Sequence, residues 1–205
     1  DFCCHSFNMP VRALNLKYPS IVRISNVEKA GLETYAKTVT HTFHFPSEGK
    51  RAAVNLIYYT GGADMPPKHI TDKLIGTFGN IPRVGAVVEA ENGLLSSGLW
   101  NSQCYLKLKD DKKFTGHGNH GEAKKIPQTL PRANGHFREW TDAIINDGKT
   151  FSSFEIGGHL TEIGLSGIVA LKLQQDINWD GKRMKAKGLP EADSLVQKQN
   201  RNRWL

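Results

Sequence analysis

The chain has 205 residues, of which 39% are hydrophobic and 23% charged, a balance that fits one folded domain with a sound core. No apolar run approaches the roughly 20 residues that a bilayer-spanning helix needs, so we predict no membrane association. The formal net charge is +7, but lysine and arginine are spread along the chain without a recognition-helix, zinc-finger or RNA-binding signature, so we predict no nucleic-acid partner.

The first residues carry a candidate proton-transfer pair on a helix-like segment. Asp1 and His5 are four residues apart and would lie on one helix face, about one turn apart. A carboxylate can fix the tautomer of a neighbouring imidazole and raise its basicity, as general-base chemistry requires. The alternative is two ordinary polar residues at a frayed terminus. A chain that opens on such a pair is expected to be the carboxy-terminal part of a larger enzyme.

Strand patterns dominate the first half of the chain. Residues 8–17 are predicted to complete the opening helix, with Tyr18-Pro19 as its end, because a residue before proline avoids helical angles. Apolar–polar alternation and turn signals predict six strands, over residues 21–25, 38–45, 53–59, 84–89, 93–97 and 105–109. The second and third form a hairpin. We predict a long loop over 61–82 and an irregular stretch over 115–131.

From residue 135 onward the apolar residues recur at the spacing of an α-helix. Helices are predicted from 135 to about 148, from 156 to 175 and from 190 to 199, with Trp140 and Trp179 in the core. Strands followed by helices indicate an α+β fold: an open, largely antiparallel β-sheet with helices packed on one face.

Short motifs occur in a fixed order along nearly the whole chain. They are Asp1-x-x-x-His5-x-x-Asn8, Ala13-Leu14-Asn15-Leu16-Lys17-Tyr18-Pro19, Tyr58-Tyr59-Thr60-Gly61-Gly62, Gly135-His136-Phe137-Arg138-Glu139-Trp140 and Pro190-Glu191-Ala192-Asp193. The ordered set resembles the Gfo/Idh/MocA family of glucose–fructose and inositol-type sugar dehydrogenases, and its secreted bacterial branch in particular.

This resemblance implies an organisation for the chain. Residues 1–17 would end the junction with a nucleotide-binding Rossmann domain that the chain lacks, and residues 18–205 would form the α+β substrate-binding and oligomerisation domain. A homo-oligomer through the free sheet face is implied as well. An exported or periplasmic bacterial protein is favoured.

The resemblance also implies chemistry, namely hydride transfer between NAD or NADP and a sugar hydroxyl carbon. His5 would be the base or its relay, Asp1 its orienting carboxylate, and Asn8 a substrate contact. The chain departs from the family at Cys3 (glycine there), Asn8 (aspartate) and Thr60 (aspartate), and the change at position 8 removes a possible partner of the proton relay.

No G-x-G-x-x-G turn follows a strand in this chain, and Gly61-Gly62 and Gly157-Gly158 lack that spacing. The cofactor is therefore expected to be bound mainly by the missing N-terminal domain. The chain alone is expected to be inactive.

Three further side chains are candidate sugar contacts: His117, His136 and Trp100. His117 with His120 and Glu122 could also be a metal cluster, but no second ligand pair is near in sequence, so we predict no metal ligand. A flexible solvent-facing loop is the other alternative. His136 could instead serve at a helix start, and Trp100 could pack in the core.

Cysteine chemistry is not favoured. The three cysteines, Cys3, Cys4 and Cys104, do not form a disulfide framework. Cys3 and Cys4 precede His5, and packing is favoured over a nucleophilic role.

Three functional hypotheses remain. The chain is the substrate domain of a sugar dehydrogenase, part of an NAD-dependent glycoside-cleaving enzyme of the same family, or a non-catalytic binding or assembly module. We favour the first for the parent protein.

Overall fold

The computed structural model describes residues 2–28, 34–62, 64–98, 100–101 and 103–197. Its helices are α1 (Cys3–Ala13), α2 (Lys68–Phe78), α3 (Gly121–Lys124), α4 (His136–Ile145), α5 (Phe154–Leu173) and α6 (Asp193–Val196). Its strands are β1 (Ile21–Glu28), β2 (Thr38–Phe45), β3 (Val54–Thr60), β4 (Gly85–Ala90), β5 (Gly93–Gly98), β6 (Cys104–Leu108), β7 (Thr115–Gly116), β8 (Ile177–Asp180) and β9 (Lys185–Ala186). Within these ranges no helix is both long and apolar enough to cross a membrane.

The larger sheet has five strands in the order β3–β2–β1–β8–β9, all paired antiparallel. Its register aligns one row of buried apolar residues across four strands: Leu56, Phe43, Val22 and Ile177. Because successive side chains of a strand point to opposite faces, the row lies on one face, and a slip by one residue would expose it. The hydrophobic pattern therefore fixes the register.

Helices α1 and α5 pack on the apolar face of this sheet and build the main core with it. Phe7 of α1 is 2% exposed, and its ring meets that of Phe43 edge-on with the centroids 5.6 Å apart. Gly167 of α5 lies against the rings of His41 and Phe43. The missing side chain at Gly167 lets the helix backbone approach the sheet closely.

The smaller sheet has four antiparallel strands in the order β4–β5–β6–β7 and is covered by α2. Ile70 and Leu74 of α2 pack with Leu94 and Phe114 in a second, smaller core. The backbone N–H of Phe114 also donates a 3.1 Å hydrogen bond to Thr77 Oγ1. Since α1 contacts both α5 and β4, it joins the two cores.

The predicted fold class is confirmed: the chain is α+β, with antiparallel open sheets and helices packed on them. The predicted hairpin is β2–β3, with Val39 opposite Thr60 and Phe45 opposite Val54. The strands divide into two sheets, and β8 and β9, which the pattern did not indicate, complete the larger one.

Several local predictions are wrong. The opening helix ends at Ala13 rather than at residue 17, because Asn15 lies in the left-handed region at φ 48°. The stretch 115–131, predicted to be irregular, contains β7 and α3, and the helix predicted over 190–199 is a 3-10 turn over Pro190–Ala192 followed by α6.

The predicted loop over 61–82 contains α2, because proline is tolerated just before a helix, where the first N–H groups have no helical partner. Trp140, which was predicted to lie in the core, is 62% exposed, and α4 as a whole has no buried residue. Trp179, by contrast, is 4% exposed and belongs to the main core, as predicted.

Candidate functional site

One face of α1 carries a row of polar side chains. Cys4, His5, Asn8 and Arg12 all line the same cleft, because residues three or four apart lie on one helix face. Other α1 residues, Phe7 and Val11 among them, are buried in the main core and hold the helix in place. The amphipathic pattern of α1 thus aims the polar row outward.

A turn of the smaller sheet brings Trp100 beside this row. Asn101, in the left-handed region at φ 52°, donates a 2.8 Å hydrogen bond from Nδ2 to the backbone carbonyl of His5. Its Oδ1 accepts a 2.9 Å bond from Ser97 Oγ on β5. These two bonds fix the turn against α1, so Asn101 is a positioning residue for Trp100.

The cleft between α1, this turn and the start of α5 has a volume of about 220 Å³. His5 and Trp100 stand at its rim with ring centroids 4.9 Å apart and an interplanar angle of 74°. Trp100 is 67% exposed, so it does not serve as a core residue. Phe151, Ile156 and Leu160 supply an apolar wall.

Three polar side chains of the row are free to bind a ligand. Among the described residues, the side chains of His5, Asn8 and Arg12 have no hydrogen-bond or ion-pair partner. A neutral imidazole both donates and accepts, and an amide offers two donors and one acceptor. The row can therefore hydrogen-bond to a polyhydroxylated ligand, and His5 can accept a proton from it. Asp1, the predicted partner of His5, lies outside the described residues.

The two adjacent cysteines differ in environment. Burial raises the pKa of the Cys3 thiol to about 11, which keeps it protonated and unreactive. Cys4 is partly exposed and lines the cleft. Their sulfur atoms are 4.0 Å apart, and neither cysteine forms a disulfide in the structure.

The structure does not bring His117 and His136 to this cleft. His136 is exposed at the first turn of α4. His117 is exposed beside β7, and its Nδ1 lies 3.3 Å from the carbonyl oxygen of Cys104. Their contacts with a sugar stay predictions.

The neighbouring His120 is 7% exposed and belongs to a structural pair. Its Nε2 lies 2.8 Å from Asp111 Oδ2, while its Nδ1 accepts from the backbone N–H of Glu122. That second bond places the proton on Nε2, so His120 donates to Asp111. The hydrogen bond ties the residue before α3 to the segment that follows β6. It engages His120 Nε2 and Asp111 Oδ2 in a contact within the chain.

We expect the Asp111→Asn substitution to lower the free energy of unfolding, because a charge-assisted hydrogen bond becomes a neutral one. The bond from His120 holds the pKa of Asp111 below its usual range. Its stabilisation is therefore present at pH 7 and is lost as the pH falls through the folded-state pKa. Urea unfolding at pH 7 measures the effect. The matched control is Asp110→Asn at the adjacent exposed carboxylate, where the change should stay within about 0.5 kcal/mol. Equal losses in the two variants would contradict the structural role of the pair.

Comparisons with known proteins assign no family. No protein-family profile matches the chain. No curated protein matches it in sequence either. One solved structure that is similar to it is an aldose-aldose oxidoreductase from Caulobacter crescentus complexed with glycerol, at 11% identity and a TM-score of 0.47. The match covers 86% of this chain and 45% of that one, so the chain spans less than half the length of that protein. A likeness at this level carries no functional inference.

Sequence reasoning missed two residues of the site. Arg12 follows Asn8 by four residues, so the helical spacing that linked Asp1 to His5 could have found it. Asn101 had no comparable signal, because its role depends on a turn meeting a helix 96 residues away along the chain.

Proposed function

We propose that the chain is the substrate-binding domain of an NAD(P)-dependent oxidoreductase that acts on a sugar or glycoside, and that the sugar binds in the cleft lined by His5, Asn8 and Trp100. The supporting observation is that the cleft joins three residues predicted from the sequence for sugar chemistry. His5 and Asn8 come from α1, and Trp100 comes from a distant turn.

The cleft suits a sugar because sugars have two kinds of surface. The C–H face of a pyranose ring packs against an aromatic ring, and its hydroxyl groups need partners that both donate and accept hydrogen bonds. Trp100 offers the first kind of contact, and His5 with Asn8 offers the second. In this arrangement a ring nitrogen of His5 takes the proton of the hydroxyl group that is oxidised.

The described residues do not fit a dinucleotide. Every strand pairing in them is antiparallel, whereas the dinucleotide-binding turn belongs to a parallel βαβ unit. Gly61, at φ 83°, serves the chain itself, because a Cβ there would lie 2.3 Å from the carbonyl oxygen of Lys37. The nicotinamide cofactor of the proposed enzyme is therefore held outside the described residues.

The sugar site is tested by ligand protection of Cys4. Glucose or glucuronate at millimolar concentration should slow alkylation of Cys4 by iodoacetamide, because Cys4 lines the cleft, and should leave Cys104 unaffected. Peptide mass spectrometry measures both rates in one sample. Trp100→Ala should weaken protection roughly threefold to tenfold through loss of ring packing.

Trp140→Ala is the matched control, since Trp140 is similarly exposed, at 62% against 67% for Trp100, but lies on α4. Equal protection of Cys4 and Cys104, or none, would contradict the sugar site. In a parallel titration the chain should not bind millimolar NADH, and micromolar binding would show that it carries its own cofactor site.

A further inference from the structure

Arg12 occupies the far end of the polar row on α1. It lies seven residues beyond His5, which is about two helical turns or roughly 10 Å along the axis. Helical side chains lean towards the helix N-terminus, so the guanidinium of Arg12 covers the turn between Asn8 and itself. The charged group then lies in the same cleft as His5, on its C-terminal side along α1.

The positive charge of Arg12 is uncompensated within the cleft. No described lining residue is acidic, and the Arg12 side chain forms no ion pair with any described residue. Arg138 on α4, by contrast, is paired and lies 3.1 Å from Asp142. A basic residue in the last turn of a helix also complements the helix dipole, but that role does not require Arg12 to line a cleft.

Building on the proposed function, we infer that Arg12 is a specificity-determining residue that selects an anionic sugar. The planar guanidinium donates two parallel hydrogen bonds to a carboxylate at the end of the sugar remote from the reacting hydroxyl. Arg12 is the only arginine or lysine among the described lining residues. One such charge matches a group of single negative charge, as in a uronic acid, better than the dianion of a phosphate ester.

Binding of four probes by the chain tests this inference: glucuronate, glucose 6-sulfate, glucose 6-phosphate and glucose, each followed by Cys4 protection and calorimetry. Glucuronate should bind at least tenfold more tightly than glucose. Arg12→Gln should remove this preference by weakening glucuronate about 10- to 100-fold while leaving glucose unchanged. Arg12→Lys keeps the charge but not the fork, and it should restore only part of the preference.

Arg83→Gln is the matched control. Arg83 is exposed, forms no ion pair within the described ranges and lies outside the cleft. If glucuronate and glucose bind alike in the unaltered chain, the inference fails and the proposed sugar site stands. If no probe binds and Cys4 is never protected, both fail. Tighter binding of glucose 6-sulfate than glucuronate keeps the role of Arg12 but overturns the carboxylate, and preference for glucose 6-phosphate overturns the single-charge argument.

Discussion

Replacing Gly167 by alanine should lower the free energy of unfolding by about 1–3 kcal/mol, even though alanine is the better helix former. A Cβ at this position would lie 2.8 Å from His41 Cδ2 and 3.0 Å from Phe43 Cζ. Phe43 is 1% exposed and His41 4%, so neither ring has room to move aside. Helix α5 would have to lift from the sheet, and the contacts of the main core would weaken.

Gly158→Ala provides the matched control on the same helix. A Cβ there would meet no described atom within 4 Å, and Gly158 is exposed. Only the helix propensity then changes, so the variant should gain up to about 1 kcal/mol. Urea unfolding of both variants decides the matter, and a gain in stability for Gly167→Ala would refute the close packing of α5 on β2.

His41→Leu should raise the free energy of unfolding at pH 7.5 by about 1–2 kcal/mol, because it removes two buried polar atoms that lack partners. Neither ring nitrogen of His41 has a hydrogen bond of normal geometry to a described residue. Burial lowers the pKa of His41 below its ordinary 6.5, and the neighbouring backbone of Gly167 offsets only part of that shift. The folded state therefore resists protonation of this ring.

The sign of the pH dependence follows from proton linkage. Between the lowered folded-state pKa and 6.5 the unfolded chain binds more protons at His41 than the folded one, so stability falls as the pH drops below 6.5. His41→Leu removes this contribution, and the gain over the unaltered chain should be larger at pH 5.5 than at pH 7.5. Urea unfolding at both values measures it.

His44→Leu serves as the comparison on the opposite face of β2, where His44 Nδ1 lies 2.8 Å from Asn55 Oδ1. This change removes a partnered group and should not stabilise the protein. A gain from His41→Leu that is the same at both pH values would show that the ring does not titrate in a buried site.

Much of the fold could be predicted because its main determinants are local. Alternation in Thr38–Phe45 and the following strand gave the hairpin, and helical period in the last third gave α5. The helix α2 was hidden by Pro66-Pro67, whose loop preference is overridden once Ile70 and Leu74 find the smaller sheet to pack on. Trp140 shows the converse, since an apolar helical period does not guarantee that a surface exists to bury it.

The sequence indicated His5, Asn8 and Trp100 as site residues, but it could place together only the two that share one helix. His5 and Asn8 could be paired by spacing, whereas the approach of Trp100 depends on how the second sheet docks on α1. That docking is a tertiary event, and no pattern within the turn encodes it. The family resemblance, the cofactor, the homo-oligomer and the exported location stay predictions.

The cleft lies between two separately packed units, the larger sheet with α1 and α5 and the smaller sheet with α2. The two hydrogen bonds of Asn101 connect them. Ser97 lies on β5 of the smaller sheet and Trp100 on the turn that follows it, and the buried core under that sheet is small. His5 lies on α1, which packs on the larger sheet.

A ligand that contacts residues of both units links them. A fluctuation that separates the units must therefore also break the ligand's contacts with one of them. The residence time of a ligand in the cleft then depends partly on the stability of the smaller unit. A substitution in the core between α2 and the smaller sheet can weaken ligand binding without altering any residue that touches the ligand.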